Sequence, residues 1–149
     1  PLCFERMHYD RKRRRLYLFK EISGLNLFNR QLWEKAQRYN DVVTIGDSAE
    51  PKSIAELKSW GMKIKGAKKG PGSVEFGIKW LQDLEAITID PEACPLAAKE
   101  FINYALETDR NGIIKSQYPD KDNHAIDATR YGCEDDMKDR KLKAAKSLY

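Results

Sequence analysis

Hydrophobic and polar positions alternate along the first 22 residues, and this pattern predicts a β-hairpin. Two runs with a period of two residues, 2–9 and 14–22, flank a polar turn at 10–13. A period of two places successive side chains on opposite faces of a sheet. In the second run we expect one face to carry Leu16, Leu18 and Lys20 and the other to carry Tyr17, Phe19 and Glu21.

Short apolar runs alternate with helical patterns along the rest of the chain. Apolar runs predict strands at 41–46, 62–67 and 87–89, with a short extended piece at 113–117. The first run is apolar on both faces, so we expect that strand to be buried on both. Recurrence every three or four residues predicts helices from Asn26 or Asn29 to 39, then at 53–60 after Pro51, and at 73–84 with Ser73 as cap. Two more are predicted at 95–107, with Ile102 on the core face, and at 124–135. The order β-β-α-β-α-β-α-β-α-α predicts an α/β domain in which helices cover a mixed sheet.

Length and composition favour one globular domain. A chain of 149 residues is long enough for a sizeable core, and we assign 1–136 to it and 137–149 to a charged C-terminal helix or tail. No apolar run is long enough to cross a membrane, so we expect a soluble protein. The three widely spaced cysteines predict free thiols. The start at Pro1 is unusual for a natural chain and suggests a fragment of something longer.

Positive charge is concentrated in two predicted loops. The net charge is +4, which permits nucleic-acid binding without requiring it. One cluster, which we call the basic tip, is Arg11–Arg15 at the end of the predicted hairpin, and the other contains Lys68 and Lys69. Both could contact a DNA backbone, but solvated surface loops have the same composition. The candidate DNA-binding residues are Arg11, Arg13, Arg14, Arg15, Lys68 and Lys69.

Two acidic residues occupy positions that suit metal binding. Asp47 comes just after the apolar run at 42–45, and Asp127 follows His124 by three positions at the start of a predicted helix. Residues three apart on a helix differ by about 60° in direction, so these two side chains point the same way. Mg²⁺ and Mn²⁺ prefer oxygen ligands. Ordinary capping is the alternative: Asp47 for the following turn, Asn123 or His124 for the last helix, and Asp127 at its positive end.

Three segments in order resemble one known family. They are 47–57 (DSAEPKSIAEL), 67–78 (AKKGPGSVEFGI) and 119–131 (PDKDNHAIDATRY). Together with the hairpin they resemble the C-terminal nuclease domain of tailed-phage large terminase subunits, over roughly residues 4–133. The resemblance implies a ribonuclease H-like fold and a metal-dependent endonuclease that cuts concatemeric double-stranded DNA through two bound Mg²⁺ or Mn²⁺ ions.

The resemblance also implies roles for particular residues. Asp47 and Asp127 match the second and third carboxylates of the family, and His124 matches a histidine that accompanies the third. All three become candidate catalytic residues and metal ligands. The family's first carboxylate would lie upstream of Pro1, on a central first strand missing from this chain. That loss should expose two strand edges. The implied partners are double-stranded DNA, a portal protein and a small terminase subunit, with no membrane, and the implied location is the cytoplasm of a bacterial host cell.

Two other functions remain open at this stage. The missing first carboxylate motivates the first alternative, a catalytically silent DNA-binding or docking module. Another ribonuclease H-like nuclease, such as a junction resolvase, would keep the chemistry and change the substrate. With one anionic ligand absent, we expect weak metal affinity and little cleavage by the chain as it stands.

Overall fold

The hairpin predicted at the start of the chain is present. The computed structural model describes residues 2–104, 110–113 and 119–138. Strand β1 (Leu2–Asp10) pairs antiparallel with β2 (Arg15–Gly24), with the basic tip between and at the start of the second strand. Arg14 has a φ of 54°, which places it in the left-handed region that a tight turn requires.

A bulge in β2 changes which side chains share a face. Arg6 pairs with Lys20 and Met7 with Leu18, so Phe19 is an extra residue in the ladder. The predicted uninterrupted alternation is therefore wrong beyond Leu18. Glu21, instead of Lys20, lies on the same face as Leu18, because the bulge shifts the pleat by one residue.

The remaining elements follow the predicted order. They are α1 (Asn29–Ala36) with a 3₁₀ turn (Gln37–Tyr39), β3 (Thr44–Gly46), α2 (Pro51–Ser59), β4 (Ile64–Gly66), α3 (Ser73–Gln82), β5 (Ala86–Ile89), α4 (Pro95–Asn103) and α5 (His124–Gly132). Pro51 and Pro95 each open a helix, where the missing N–H group costs nothing. A further helical segment at 134–138 follows α5, so the predicted single helix to 135 is interrupted at Cys133.

Several predicted helix boundaries are wrong in detail. The cap of α1 is Phe28, because the side chain of Gln31 accepts its backbone N–H at 3.0 Å. Gly72, with a φ of 72°, precedes α3, and Ser73 is the first helical residue. Ile102 is 82% exposed instead of facing the core. Residues 105–107 of the predicted fourth helix, 114–117 of the predicted extended piece and 139–149 of the predicted C-terminal helix or tail lie outside the described residues.

The strands form two separate sheets. In the first, β1 pairs with β2 and β2 pairs in parallel with β5, which makes a mixed three-stranded sheet. In the second, β3 pairs in parallel with β4. Within the described residues, β1 and β3 therefore each have one unpaired edge. The mixed sheet flanked by helices confirms the predicted fold class.

Hydrophobic cores lie on both faces of the larger sheet. Residues of α3, α4 and α5 pack with Leu16 and Leu18 on one face, and Met137 belongs to that core. Residues of α1, α2 and β4 pack with Phe4 and Ile22 on the other. Among the described residues, no helix combines the length and apolar character needed to span a bilayer. All three cysteines are free, as predicted.

Candidate active site

A cleft of about 810 Å³ separates the unpaired edges of β1 and β3. Residues 2–8 of β1 line one side, 42–47 line the other, and α5 contributes His124 and Asp127. Val42 and Val43, predicted to belong to a buried strand, are 62% and 52% exposed and line this cleft. The segment 41–46 was expected to be covered on both sides, and here only Thr44–Gly46 is paired.

Asp47 stands at the end of β3 and organises the turn that follows. Its Oδ1 accepts the backbone N–H of Ala49 at 2.9 Å, and its carbonyl oxygen accepts the N–H of Glu50 at 3.0 Å. Oδ1 also pairs with the ammonium group of Lys69. Oδ1 of Asp47 therefore caps the turn that follows β3, which was the alternative role considered for this residue. Among the described residues, Oδ2 has no hydrogen-bond partner and remains available to a ligand.

A buried carboxylate on the neighbouring helix fixes the start of α5. Glu100 of α4 is only 4% exposed and accepts the backbone N–H groups of His124 (3.0 Å), Ala125 (2.6 Å) and Ile126 (3.2 Å). Asn123 is the first residue before the helix, but its side chain makes no capping bond. Asn123 is thus the N-cap by position, as one of the two alternatives predicted, but a tertiary contact and not its side chain satisfies these donors.

The helix that carries Glu100 is anchored in the same way. Glu21 of β2 accepts the backbone N–H groups of Leu96 at 3.1 Å and Ala97 at 2.9 Å, at the start of α4. The bulge at Phe19 is what turns Glu21 toward α4. Strand β2 therefore positions α4, and α4 positions the first turn of α5, which carries His124 and Asp127 into the cleft.

A buried arginine holds Asp127 from within α5. Arg130 is only 6% exposed, and its Nη2 lies 2.6 Å from Oδ1 of Asp127. Gly77 of α3 makes room for it, because a Cβ there would approach Arg130 Cδ to 2.8 Å. Oδ2 of Asp127 and the ring of His124 make no hydrogen bond to another described residue.

Positive charge next to Asp47 keeps it ionised. Burial raises the pKa of Asp47, but the hydrogen bonds from Lys69 and Ala49 lower it more, so the net pKa lies below its usual value. The pKa of Lys69 is raised: burial lowers it, and the pairing with Asp47 and Tyr131 more than compensates. An ionised carboxylate is the form that coordinates a metal ion.

Glu5 was not among the predicted site residues, although it lines the same cleft. Thr129 Oγ1 lies 2.7 Å from its Oε2. Burial raises the pKa of Glu5 to about 8, with Glu21 and Glu100 adding to the rise and the Thr129 hydrogen bond opposing it. The available signal was a charged residue between Cys3 and Met7 on the face of β1 that turns toward the core.

The described residues contain one compact group of three possible ligands, and it is not the predicted one. Ligand atoms of Cys3, Glu5 and Glu21 lie within 4.8 Å of one another. Glu21, however, uses both oxygens to accept the N–H groups of α4, and Ser23 donates to it at 2.6 Å. This group is therefore a structural anchor. The predicted ligands Asp47, His124 and Asp127 share the cleft without forming an equally tight set.

The donor set in the cleft suits a hard divalent ion. Asp47 and Asp127 each retain one unpartnered carboxylate oxygen among the described residues, and His124 offers an imidazole nitrogen. Oxygen and imidazole donors fit Mg²⁺ and Mn²⁺. Two carboxylates are fewer anionic ligands than a tightly held pair of ions requires, so the fit is partial.

Most charges of the basic tip have intramolecular partners. Arg11 pairs with Asp136 at 2.7 Å, Arg13 pairs with Asp10 at 3.1 Å, and Arg14 donates to the carbonyl oxygen of Asp83. These ion pairs are exposed, and such pairs are weak, typically about 0–1 kcal/mol. A phosphate group can therefore replace the partner at small cost.

The remaining candidate DNA-binding residues are arranged differently from one another. Arg15 is exposed at the start of β2. Lys68 donates its backbone N–H to Glu134 at 2.8 Å. Lys69 pairs with Asp47, so the second basic cluster lies beside a predicted metal ligand, whereas the tip lies at the far end of β1.

Comparison with known proteins gives a consistent result. The family model described as "Terminase RNAseH like domain" matches residues 2–135. The large terminase subunit of Bacillus phage SPP1 is 46% identical over 142 residues, which is 93% of this chain and 34% of that protein. The PBSX phage terminase large subunit of Bacillus subtilis strain 168 is 26% identical over 90% of this chain and 32% of its own length. The chain thus spans about a third of the curated relatives it matches.

Solved structures agree on the fold. The crystal structure of the g2p (large terminase) nuclease domain from bacteriophage SPP1, with bound Mn, matches with a TM-score of 0.85 and 43% identity. The match covers 90% of this chain and 78% of that one. The large terminase from a thermophilic bacteriophage matches with a TM-score of 0.62 and 17% identity, over 87% of this chain and 35% of that one. The second likeness concerns the fold alone.

Proposed function

The chain belongs to the terminase RNase H-like domain family, and from this premise we propose that it is a divalent-metal-dependent endonuclease acting on double-stranded DNA. One observation carries the proposal. Asp47 at the end of β3 and Asp127 on α5 line one cleft, and each keeps one carboxylate oxygen unpartnered among the described residues. The homologous SPP1 nuclease domain was solved with bound Mn, which supports a divalent metal ion as the cofactor of this domain.

The chain's own side chains suggest a division of roles. Oδ2 of Asp47 and Oδ2 of Asp127 would hold Mg²⁺ or Mn²⁺ from two sides of the cleft. Two ions bound there would supply an activated water and charge neutralisation at the scissile phosphate. Arg130 fixes the orientation of Asp127 through its 2.6 Å contact. His124, one turn from Asp127, would serve as a ligand or exchange a proton with the leaving oxygen.

A third carboxylate would complete the site, and the fold has room for it. The unpaired edges of β1 and β3 face the cleft, so one extended strand could hydrogen-bond to both and join the two sheets. We propose that in the longer protein such a strand precedes β1 and carries the missing anionic ligand. Covering Val42 and Val43 would be a second benefit of that strand.

DNA contacts would come from the basic tip and from Lys68 and Lys69. Backbone contacts of this kind bind largely without regard to sequence, which suits an enzyme that cuts concatemeric genomes at many positions. A portal protein and a small terminase subunit are the partners we propose for the longer protein, because its relatives are terminase large subunits.

Nicking of a supercoiled plasmid in Mn²⁺ or Mg²⁺ tests the proposal. We would compare the chain as given, a version extended upstream of Pro1, and the extended version with Asp127→Ala. Asp135→Asn is a matched control, because this exposed aspartate follows α5 and pairs with Lys65 and Lys138 away from the cleft. We expect weak or no cutting by the chain as given, clear nicking by the extended protein and its control, and none by Asp127→Ala.

Two other outcomes would change the conclusion. Inactivity of the extended protein over a range of metals would favour the catalytically silent DNA-binding module. Strong preference for branched over linear DNA would favour a resolvase-like nuclease of the same fold. Strong metal-dependent nicking by the 149-residue chain itself would show that another carboxylate, such as Glu50 in the cleft wall, completes the site.

A further inference from the structure

Lys69 occupies an unusual place beside the predicted metal ligands. Its ammonium group pairs with Oδ1 of Asp47 and lies 5.1 Å from the centre of the Tyr131 ring. Its side chain is 38% exposed. It follows Lys68 and precedes Gly70–Gly72, a loop of exposed residues, so few contacts restrict its movement. Lys69 is thus a cation held beside a candidate metal ligand by an ion pair and a ring contact, both of which another cation could replace.

Asp127, the second carboxylate of the cleft, pairs with Arg130, which is held more firmly than Lys69 is at Asp47. Arg130 pairs with Asp127 and lies 5.4 Å from the same Tyr131 ring, on which both cations converge. Arg130 is buried against Gly77, and its removal would leave a cavity. Lys69 can leave its carboxylate and Arg130 cannot. The two pairs therefore have different consequences for metal binding.

We propose that Lys69 is the counter-ion of Asp47 while the site holds no metal, and that a metal ion binding to Asp47 releases Lys69 to contact a DNA phosphate. This inference rests on the proposed function, because it assumes that Asp47 is a metal ligand. An ammonium group and a divalent cation compete for the negative charge of the same carboxylate. The competition links the arrival of metal at the cleft to the strength of DNA binding beside it.

Two measurable consequences follow. Removing the Lys69 charge should strengthen metal binding, because the metal ion then does not have to displace an ammonium group whose attraction to Asp47 is stronger at a partly buried site than in water. We expect about a three- to tenfold lower Kd for Mn²⁺. The same change should weaken DNA binding only when metal is present, because in the metal-free protein Asp47 already neutralises Lys69.

Free Mn²⁺ measured by electron paramagnetic resonance gives the first readout, at pH 7 and fixed salt. Four proteins are compared: the wild type, Lys69→Gln, Lys68→Gln and Asp47→Asn. Lys68→Gln removes the same charge from the neighbouring residue, for which no interaction with Asp47 is found. We expect stronger Mn²⁺ binding by Lys69→Gln, less than a twofold change for Lys68→Gln and loss of binding for Asp47→Asn. Matching thermal melts would show that all four proteins are folded.

Fluorescence anisotropy with a short DNA duplex gives the second readout, without metal and with Ca²⁺ as a hard oxygen-binding ion. Lys69→Gln should bind DNA like the wild type without Ca²⁺ and several-fold more weakly with it. Two results would overturn the counter-ion role: equal Mn²⁺ affinities of the wild type and Lys69→Gln, or the same gain in Mn²⁺ affinity from Lys68→Gln as from Lys69→Gln. Loss of Mn²⁺ binding in Asp47→Asn would still support the metal site in either case. Unchanged Mn²⁺ binding by Asp47→Asn would overturn both.

Discussion

Replacing Glu5 by Gln should stabilise the protein at alkaline pH and flatten the dependence of its stability on pH. Glu5 lies against α5, where Thr129 Oγ1 is 2.7 Å from its Oε2 and 2.8 Å from the carbonyl oxygen of Ala125. Burial is the main cause that raises its pKa to about 8 from an ordinary 4.5. Gln has the same shape, carries no charge and can donate its amide hydrogen to Thr129.

The size of the effect follows from the two pKa values. Because the folded protein holds the proton more tightly, the stabilising contribution of protonated Glu5 is complete below pH 4.5 and is lost as pH rises through about 8. A tenfold difference in proton affinity corresponds to about 1.4 kcal/mol, which sets a ceiling of about 5 kcal/mol for this rise. The Glu5 side chain is not fully buried and relaxation lowers the cost, so we expect about 2 kcal/mol.

Urea unfolding at pH 5, 7 and 9 measures the prediction. We compare the difference in the free energy of unfolding between Glu5→Gln and the wild type at each pH. This difference should be about 2 kcal/mol larger, in favour of Glu5→Gln, at pH 9 than at pH 5. Glu92→Gln is the control, because Glu92 is exposed and its removal should shift all three values equally. Parallel pH profiles for Glu5→Gln and wild type would refute the reasoning, since they would mean that Glu5 ionises as easily in the folded protein as in the unfolded one.

Three further predictions address DNA binding, helix placement and packing. Neutralising three arginines of the basic tip should weaken binding to all DNA sequences alike and reduce the slope of log K against log salt by up to about 3; unchanged slopes would exclude the tip from the interface. Glu100→Ala should cost about 2–3 kcal/mol in urea unfolding, because three N–H groups of α5 lose their acceptor. Gly77→Ala should destabilise by about 1–3 kcal/mol through its clash with buried Arg130, and a neutral result would show that this arginine is free to move.

Local patterns in the sequence were sufficient for the order of elements. The hairpin, the strand before Asp47 and the helix that starts at His124 each depend on neighbouring residues, namely on alternation, on an apolar run and on helical spacing. The motifs at 47–57, 67–78 and 119–131 then indicated the family. The bulge at Phe19 escaped prediction, because it depends on the fit between β1 and β2 and leaves no mark in the alternation.

The details of the site depend on tertiary contacts that no local pattern contains. Asn123 was a reasonable cap for α5, yet Glu100 from another helix satisfies those donors. Lys69 was predicted as a DNA contact, and the structure pairs it with Asp47. Val42 was predicted to be buried because the run 41–46 is apolar on both faces. Val42 is exposed instead, because one edge of β3 is unpaired.

The central claim is that Asp47 and Asp127 hold the divalent metal of this domain. Anomalous diffraction at the manganese absorption edge, from crystals of the extended protein grown with Mn²⁺, tests it most directly. We predict an anomalous-difference peak in the cleft, within about 2.1–2.3 Å of a carboxylate oxygen of each aspartate, with Lys69 displaced from Asp47. A peak coordinated by Cys3, Glu5 and Glu21 instead, with Asp47 still paired to Lys69, would contradict it.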